Sequence, residues 1–192
     1  MPSARSSRDA SPGHGAVESA FRLTVEKVSF RELISTTRRP CSISWRGSIR
    51  LADVNVLVYA FRPDARDHPD YRAWLEELVG GDEAYASSDI VLGGFIRVVT
   101  HPRIFGDPAP LETALRFAES YRANPNCVLI VPGPRHWEIF SRLCRDSGAR
   151  GALVADAYLA ALAIEWGCEW ITTDRDYARF PGLRWRHPLA RA

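Results

Sequence analysis

The feature that most constrains this chain is an alternation of short apolar runs with longer segments of helical period. Ile49–Asp53, Ala84–Ser87, Cys127–Val131 and Cys168–Thr172 read as buried strands, and Leu183–Arg186 as a last edge strand. Between them, His68–Val79 sets Tyr71, Leu75, Leu78 and Val79 on one helical face, and Gly80-Gly81 stops it. A helix from Ser88 or Asp89 to about Thr100, then Leu111–Arg122, Arg135–Asp146 and Ala152–Trp166, follow the same rule. Asn55–Phe61 is read as a helical turn, and Asp174–Phe180 as a turn with a short helix. Strands joined through helices are crossover-connected, and crossovers join parallel strands. The expected fold is α/β, with a mainly parallel central sheet flanked by helices.

Order is expected from residue 49 to 192, a length suited to one domain. Residues 1–48 are expected to be a disordered or misassigned extension: the first twenty are rich in Ser, Gly, Pro and Arg, and the rest has weak periodicity. Charge divides at nearly the same place. Residues 1–50 carry 9 Lys/Arg against 4 Asp/Glu, and residues 51–192 carry 16 against 19. The folded part is slightly acidic, so global charge gives no sign of a nucleic-acid partner. No run approaches the length of a membrane span, and no signal-like apolar segment opens the chain, so a cytoplasmic location is expected. Cys41, Cys127, Cys144 and Cys168 show neither C-x-x-C pairing nor zinc spacing, and read as reduced thiols.

Three acids share a distinctive setting. Asp53 ends a strand in Leu51-Ala-Asp-Val-Asn-Val-Leu-Val. Asp156 lies one turn into the Ala-rich helix, in Leu153-Val-Ala-Asp-Ala. Asp174 ends another strand in Trp170-Ile-Thr-Thr-Asp-Arg-Asp. In open parallel sheets, sites form beyond the carboxyl ends of strands, where Asp53 and Asp174 would project. Asp156 has Leu159, Ala160 and Ala163 below it, so it is expected at the edge of a packed face. Like charges at ~4 Å repel by ~1 to 4 kcal/mol, and a divalent cation would relieve that. An oxygen-only ligand set suits Mg²⁺ or Mn²⁺, and such a site supports in-line attack of water on a phosphodiester. Taken singly, each acid also has a simpler reading: a turn residue at Asp53, a dipole-favoured first-turn acid at Asp156, and arginine partners at Asp174 and Asp176.

From Ile49 to Leu189 the chain resembles a PIN domain, specifically the VapC toxin of type II toxin–antitoxin pairs. The resemblance rests on Leu51-Ala-Asp-Val-Asn-Val-Leu-Val-Tyr-Ala, Phe95-Ile-Arg-Val-Val-Thr-His-Pro-Arg-Ile-Phe, Asp156-Ala-Tyr-Leu-Ala-Ala-Leu-Ala-Ile-Glu and Thr173-Asp-Arg-Asp-Tyr-Ala-Arg-Phe-Pro-Gly-Leu, in that order. It implies a PIN-like three-layer fold and a Mg²⁺- or Mn²⁺-dependent endoribonuclease. It also implies a homodimer inhibited by a VapB-like antitoxin. It maps Asp53, Asp156 and Asp174 to catalytic metal ligands, with Asp176, Asn55 and Thr173 assisting. Arg97 is a candidate phosphate contact, or else a structural ion-pair partner. One departure stands out. Where many PIN nucleases carry a Glu, this chain reads Val91-Leu-Gly-Gly-Phe-Ile-Arg, and Gly94 ligates nothing. That leaves a one-metal site as the expectation.

Gly94 also motivates the alternative of a catalytically weakened PIN-like module that binds RNA or antitoxin. A phosphohydrolase of another α/β fold fits less well, because Asp53-x-Asn55 lacks the second Asp that an aspartyl-phosphate mechanism wants. His101 and His136 have no paired nucleophile and read as satisfied or surface residues. Trp74, Trp137, Trp166, Trp170 and Trp185 are expected in the core rather than as base-stacking platforms. Tyr158 is read as a helix-surface residue. Arg150 is either a phosphate contact or a solvated loop charge.

Overall fold

The computed structural model describes residues 49–190, and the extension expected over 1–48 lies outside them. The chain opens on strand β1 (Arg50–Ala52), then helices α1 (Val54–Phe61) and α2 (His68–Gly80). Strand β2 (Tyr85–Ser87) is followed by α3 (Asp89–Val99) and α4 (Leu111–Arg122). Strand β3 (Cys127–Leu129) leads to α5 (His136–Ser147) and α6 (Ala152–Trp166). Strand β4 (Glu169–Ile171), a 3₁₀ turn (Arg175–Arg179) and strand β5 (Arg184–Arg186) complete it.

The five strands lie in the order β3-β2-β1-β4-β5, and every neighbouring pair is parallel. The chain leaves β1 toward β2 and β3, then crosses back to β4 on the other side of β1. Right-handed crossovers running in opposite directions put their helices on opposite faces. The packing agrees: α1 contacts α2 and α3, α3 contacts α4, and α5 pairs with α6. The reversal makes the β1/β4 boundary a topological switch point, where a crevice opens beyond the strand ends.

The boundaries follow local chemistry. Helix α6 is built from Ala, Leu and other helix formers, and Gly167 ends it at φ 68°, a left-handed conformation that glycine adopts without a Cβ clash. Gly148 closes α5 in the same way at φ 62°. The expected helical turn after Asp53 is a full helix of 8 residues. The strands are three residues each, shorter than the apolar runs, but their ladder continues one step further. Asp53 N–H donates to the Ile171 carbonyl at 2.9 Å, and Thr172 N–H to the Arg186 carbonyl at 3.1 Å. Those bonds fix the backbone at the strand ends, where the site residues begin. Strand β3, expected to be buried, is half-buried because it is a sheet edge.

Leu51, Leu57, Tyr85, Phe95, Leu162, Trp170 and Ile171 fill the core. Trp74, Trp166 and Trp185 pack against it half-buried, but Trp137 is 71% exposed, stacked only partly on Phe140. Its position in the first turn of α5, where the opposite helix face packs on α6, turns it outward. His136 is buried, with Nε2 at 3.0 Å from the Tyr158 carbonyl, and Tyr158 is half-buried against the His136 ring. Cys127, Cys144 and Cys168 are free thiols. No helix among the described residues is long and apolar enough to cross a membrane.

Candidate active site

Asp53 caps helix α1 at the end of β1, and Asp174 caps the 3₁₀ turn just after β4. Because β1 and β4 are neighbours, two acids 121 positions apart in the chain meet at the switch point. An Asp at an N-cap accepts from the first free N–H groups of the helix. Here Asp53 Oδ1 accepts from Val54 N–H at 2.6 Å, and Asp174 Oδ1 accepts from Asp176 N–H at 2.8 Å.

One side chain joins the two strand ends. The Thr172 hydroxyl donates to Asp53 Oδ2 at 2.6 Å and accepts the Asp174 N–H at 3.0 Å. Asn55 reinforces the link. Its amide nitrogen lies 2.9 Å from Asp53 Oδ2 and 3.1 Å from Thr172 Oγ1, and its carbonyl accepts Thr173 N–H at 3.3 Å. Thr173 thus contributes its backbone to the network. Thr172 is fully buried and was missed in the sequence, where the run Ile171-Thr-Thr-Asp gives no sign of which threonine turns inward. The period-two alternation from buried Trp170 was the available signal.

Asp156 approaches from α6, half-buried, with Ala160 and Ala163 fully buried beneath it. The acids are electrostatically coupled. Burial pushes the Asp53 carboxyl up to about 6, opposed by the Thr172 and Val54 hydrogen bonds and raised further by the charges of Asp156 and Asp174. Burial also raises Asp156, as do Asp174 and Asp176. For Asp156, desolvation and like charge outweigh the favourable helix N-terminus. Asp176 is exposed and pairs with Arg179 at 3.1 Å. Arg97 is exposed in the last turn of α3, and Arg150 is exposed in the loop before α6.

Among the described residues, no three His, Cys, Asp or Glu side chains converge closely enough to enclose a metal ion by themselves. A small hard cation does not need such a cage, since it commonly binds through one or two carboxylates and keeps several waters. The donor set fits that kind of ion: the acids offer oxygen alone, and their raised proton affinities report excess negative charge.

Gly94 has a steric reason. A Cβ there would sit 2.8 Å from Val54 Cγ2, because α3 crosses α1 at this point. Val54 is β-branched and stiff, so it cannot easily step aside. The position that would carry another acid is closed by the residue next to Asp53.

Replacing Thr172 by Val keeps the shape and removes the hydroxyl. We expect a loss of ~1.5–3 kcal/mol in urea unfolding, because a hydrogen bond to a charged group is deleted. RNA cleavage should drop ~10–100-fold, the usual cost of removing a partner that orients a metal ligand. Thr172→Ser should stay near wild type; equal losses in both variants would mean that the hydroxyl is not what matters.

The PIN domain family model matches residues 50–183. The chain is 49% identical over 137 residues to "VapC ribonuclease Mb2897" of Mycobacterium bovis, covering 71% of this chain and 93% of that protein. It is 38% identical over 138 residues to "Ribonuclease VapC25" of Mycobacterium tuberculosis, covering 72% and 97%. Two solved structures share the fold. VapBC2 from Rickettsia felis, bound to a DNA fragment from its promoter, aligns with a TM-score of 0.51 at 21% identity, covering 72% of this chain and 98% of that one. VapBC-1 from nontypeable Haemophilus influenzae aligns with a TM-score of 0.53 at 16% identity, covering 74% and 99%. With the family model spanning β1 to the turn before β5 and relatives of this similarity matched over nearly their whole length, the chain belongs to the PIN-domain family, in its VapC group.

Proposed function

We propose that this protein is the ribonuclease component of a type II toxin–antitoxin system, hydrolysing RNA phosphodiester bonds internally at the Asp53–Asp156–Asp174 site. The observation that carries the reading is the coupling of three carboxylates at the switch point, with Asp53 raised to about 6 by burial and its two acidic neighbours. A bound Mg²⁺ or Mn²⁺ would supply charge neutralisation at the phosphate and a lowered pKa for attacking water. Asp53, Asp156 and Asp174 are the residues that would hold it, with Asp176 at the margin. Asn55 and Thr172 keep the Asp53 carboxylate in one orientation, and the Thr173 backbone closes the loop onto Asn55. Arg97 is the candidate phosphate contact on α3. In the reaction, a water oxygen forms a new P–O bond as the bond to the leaving ribose oxygen breaks.

The proposed partners are an RNA substrate, a VapB-like antitoxin and a second copy of the chain, all in the cytoplasm. The names of the VapC relatives and the VapBC structures support the first two.

The test is cleavage of total RNA by purified wild type and Asp53→Ala, each with Mg²⁺, Mn²⁺ or EDTA. Cleavage by wild type alone, lost in EDTA and restored by metal, is expected. Equal cleavage by both proteins would remove the mechanism. Metal-independent inactivity of the wild type would favour an RNA- or antitoxin-binding module, the reading that Gly94 motivates.

A further inference from the structure

The 3₁₀ turn after Asp174 carries Tyr177 inward. Its ring is buried, with centroids 5.2 Å from Trp170 and 5.8 Å from Phe180. Two aromatic neighbours at those distances leave the ring little freedom. Its hydroxyl lies within hydrogen-bonding reach of the Asp156 carboxylate. The same hydroxyl is in electrostatic range of Asp53 and Asp174, so it stands behind all three acids. Trp170 supplies a second observation. Its indole N–H is fully buried, lies beside the Tyr177 hydroxyl and makes no hydrogen bond of ordinary geometry. A buried donor in that state is kept only where the surroundings dictate its position.

The three acids differ in how they are held. Asp53 is fixed by Val54, Asn55 and Thr172, and Asp174 by its turn. Asp156 comes from a different element, α6, and shares in neither network. A carboxylate on a helix surface has several rotamers, and one that must meet two acids on the facing strand ends needs an orienting donor.

We propose that Tyr177 is a positioning residue whose hydroxyl, donating to Asp156, turns that carboxylate toward Asp53 and Asp174 and thereby sets the affinity for the divalent cation. This rests on the metal-nuclease reading of the site. Burial and the three surrounding acids raise the phenol far above its ordinary range, so it stays a donor throughout the working pH range.

Tyr177→Phe removes one oxygen and keeps the ring packing. The test is Mn²⁺ titration by calorimetry on the RNA-free protein, beside cleavage measured against Mn²⁺ concentration. The expected result is a Kd for Mn²⁺ about 10-fold higher or more, the scale of losing an orienting partner. The half-maximal Mn²⁺ concentration for cleavage should rise by a similar factor, and kcat at saturating Mn²⁺ should recover to within about 3-fold. In an Asp156→Asn background, Tyr177→Phe should have no further effect on the Kd, since the pair acts as a unit. Additive effects in that background would overturn the proposal, because the hydroxyl would then act elsewhere. An unchanged Kd in Tyr177→Phe would also overturn it. Ile139→Val, a buried change on α5, is the control and should leave the Kd alone; a matching rise there would assign the effect to general loosening and overturn the proposal as well. If wild type neither binds Mn²⁺ nor cleaves RNA, the reading of the site fails first and takes this proposal with it.

Discussion

Asp53→Asn is expected to lose RNA cleavage on the order of 10³-fold or more while making the EDTA-treated protein more stable near neutral pH. The activity loss follows from removing a charge that would hold the cation, whose contribution is several kcal/mol of transition-state stabilisation. The stability gain follows from the raised carboxyl. In the folded protein Asp53 sits at about 6, against an ordinary value of 3.8. The folded state therefore binds this proton more tightly than the unfolded chain does. Its ionisation penalises folding fully above about pH 6, and the penalty fades as pH falls toward 3.8. The shift corresponds to roughly 2–3 kcal/mol as an upper bound. Asparagine is neutral but has one oxygen fewer, and Val54, Asn55 and Thr172 all donate to the carboxylate. Leaving one of them short costs about 1 kcal/mol. A net gain of about 1–2 kcal/mol at pH 7.5 should raise Tm by roughly 2–8 °C for a protein of this size. At pH 4.5 the gain should vanish. Thermal unfolding of both proteins in EDTA at the two pH values decides the matter, and a difference in Tm that ignores pH would show that Asp53 is not the group responsible. Adding Mn²⁺ should then stabilise the wild type and not the variant.

The second large effect concerns the contact between α3 and α1. Gly94→Glu introduces an acid where many relatives of this fold carry one, yet it is expected to damage the protein. Its Cβ would lie 2.8 Å from Val54 Cγ2, so one helix must shift. Overpacking of this kind costs about 1–3 kcal/mol. Val54 N–H also donates to Asp53 Oδ1, so a shift of Val54 moves the cap bond at the site. A displacement approaching 1 Å can cost about 10²-fold in rate. Gly94→Glu combined with Val54→Ala removes the clashing methyl groups and should recover most of the stability. Urea unfolding and cleavage of the two variants and the Val54→Ala control measure both effects. If the single variant matched wild type in both, the helix contact would be looser than its geometry indicates.

Much of this architecture is written in local pattern. Leu111–Arg122 and Ala152–Trp166 begin and end where periodicity and terminal glycine chemistry put them. The acids Asp53 and Asp174 were legible because an acid directly after an apolar strand is unusual, and the parallel order brings strand ends together. Thr172 was not legible, because its neighbour Thr173 has the same chemistry and only the pleat distinguishes them. Tyr177 was hidden for a related reason: a 3₁₀ turn has its own period, so no helical or strand pattern signals which residue turns inward. Trp137 misled because tryptophan is usually buried, and its exposure is decided by which side of α5 meets α6. Gly94 could be seen as a missing acid, but its contact with Val54 depends on how two helices cross. Pairings between distant segments are where sequence patterns lose their hold.

The bond from Thr172 to Asp53 spans 119 residues. Chains are made from the N-terminus onward, and β1 emerges long before β4. Until the last tenth or so of the polypeptide has been synthesised, Asp53 has neither its hydroxyl partner nor its acidic neighbour Asp174, and the crevice has only one wall. A partly made chain therefore carries the first acid without a working centre. Strands β4 and β5 act as the final piece of a lock, so that completion of synthesis and assembly of the catalytic centre coincide.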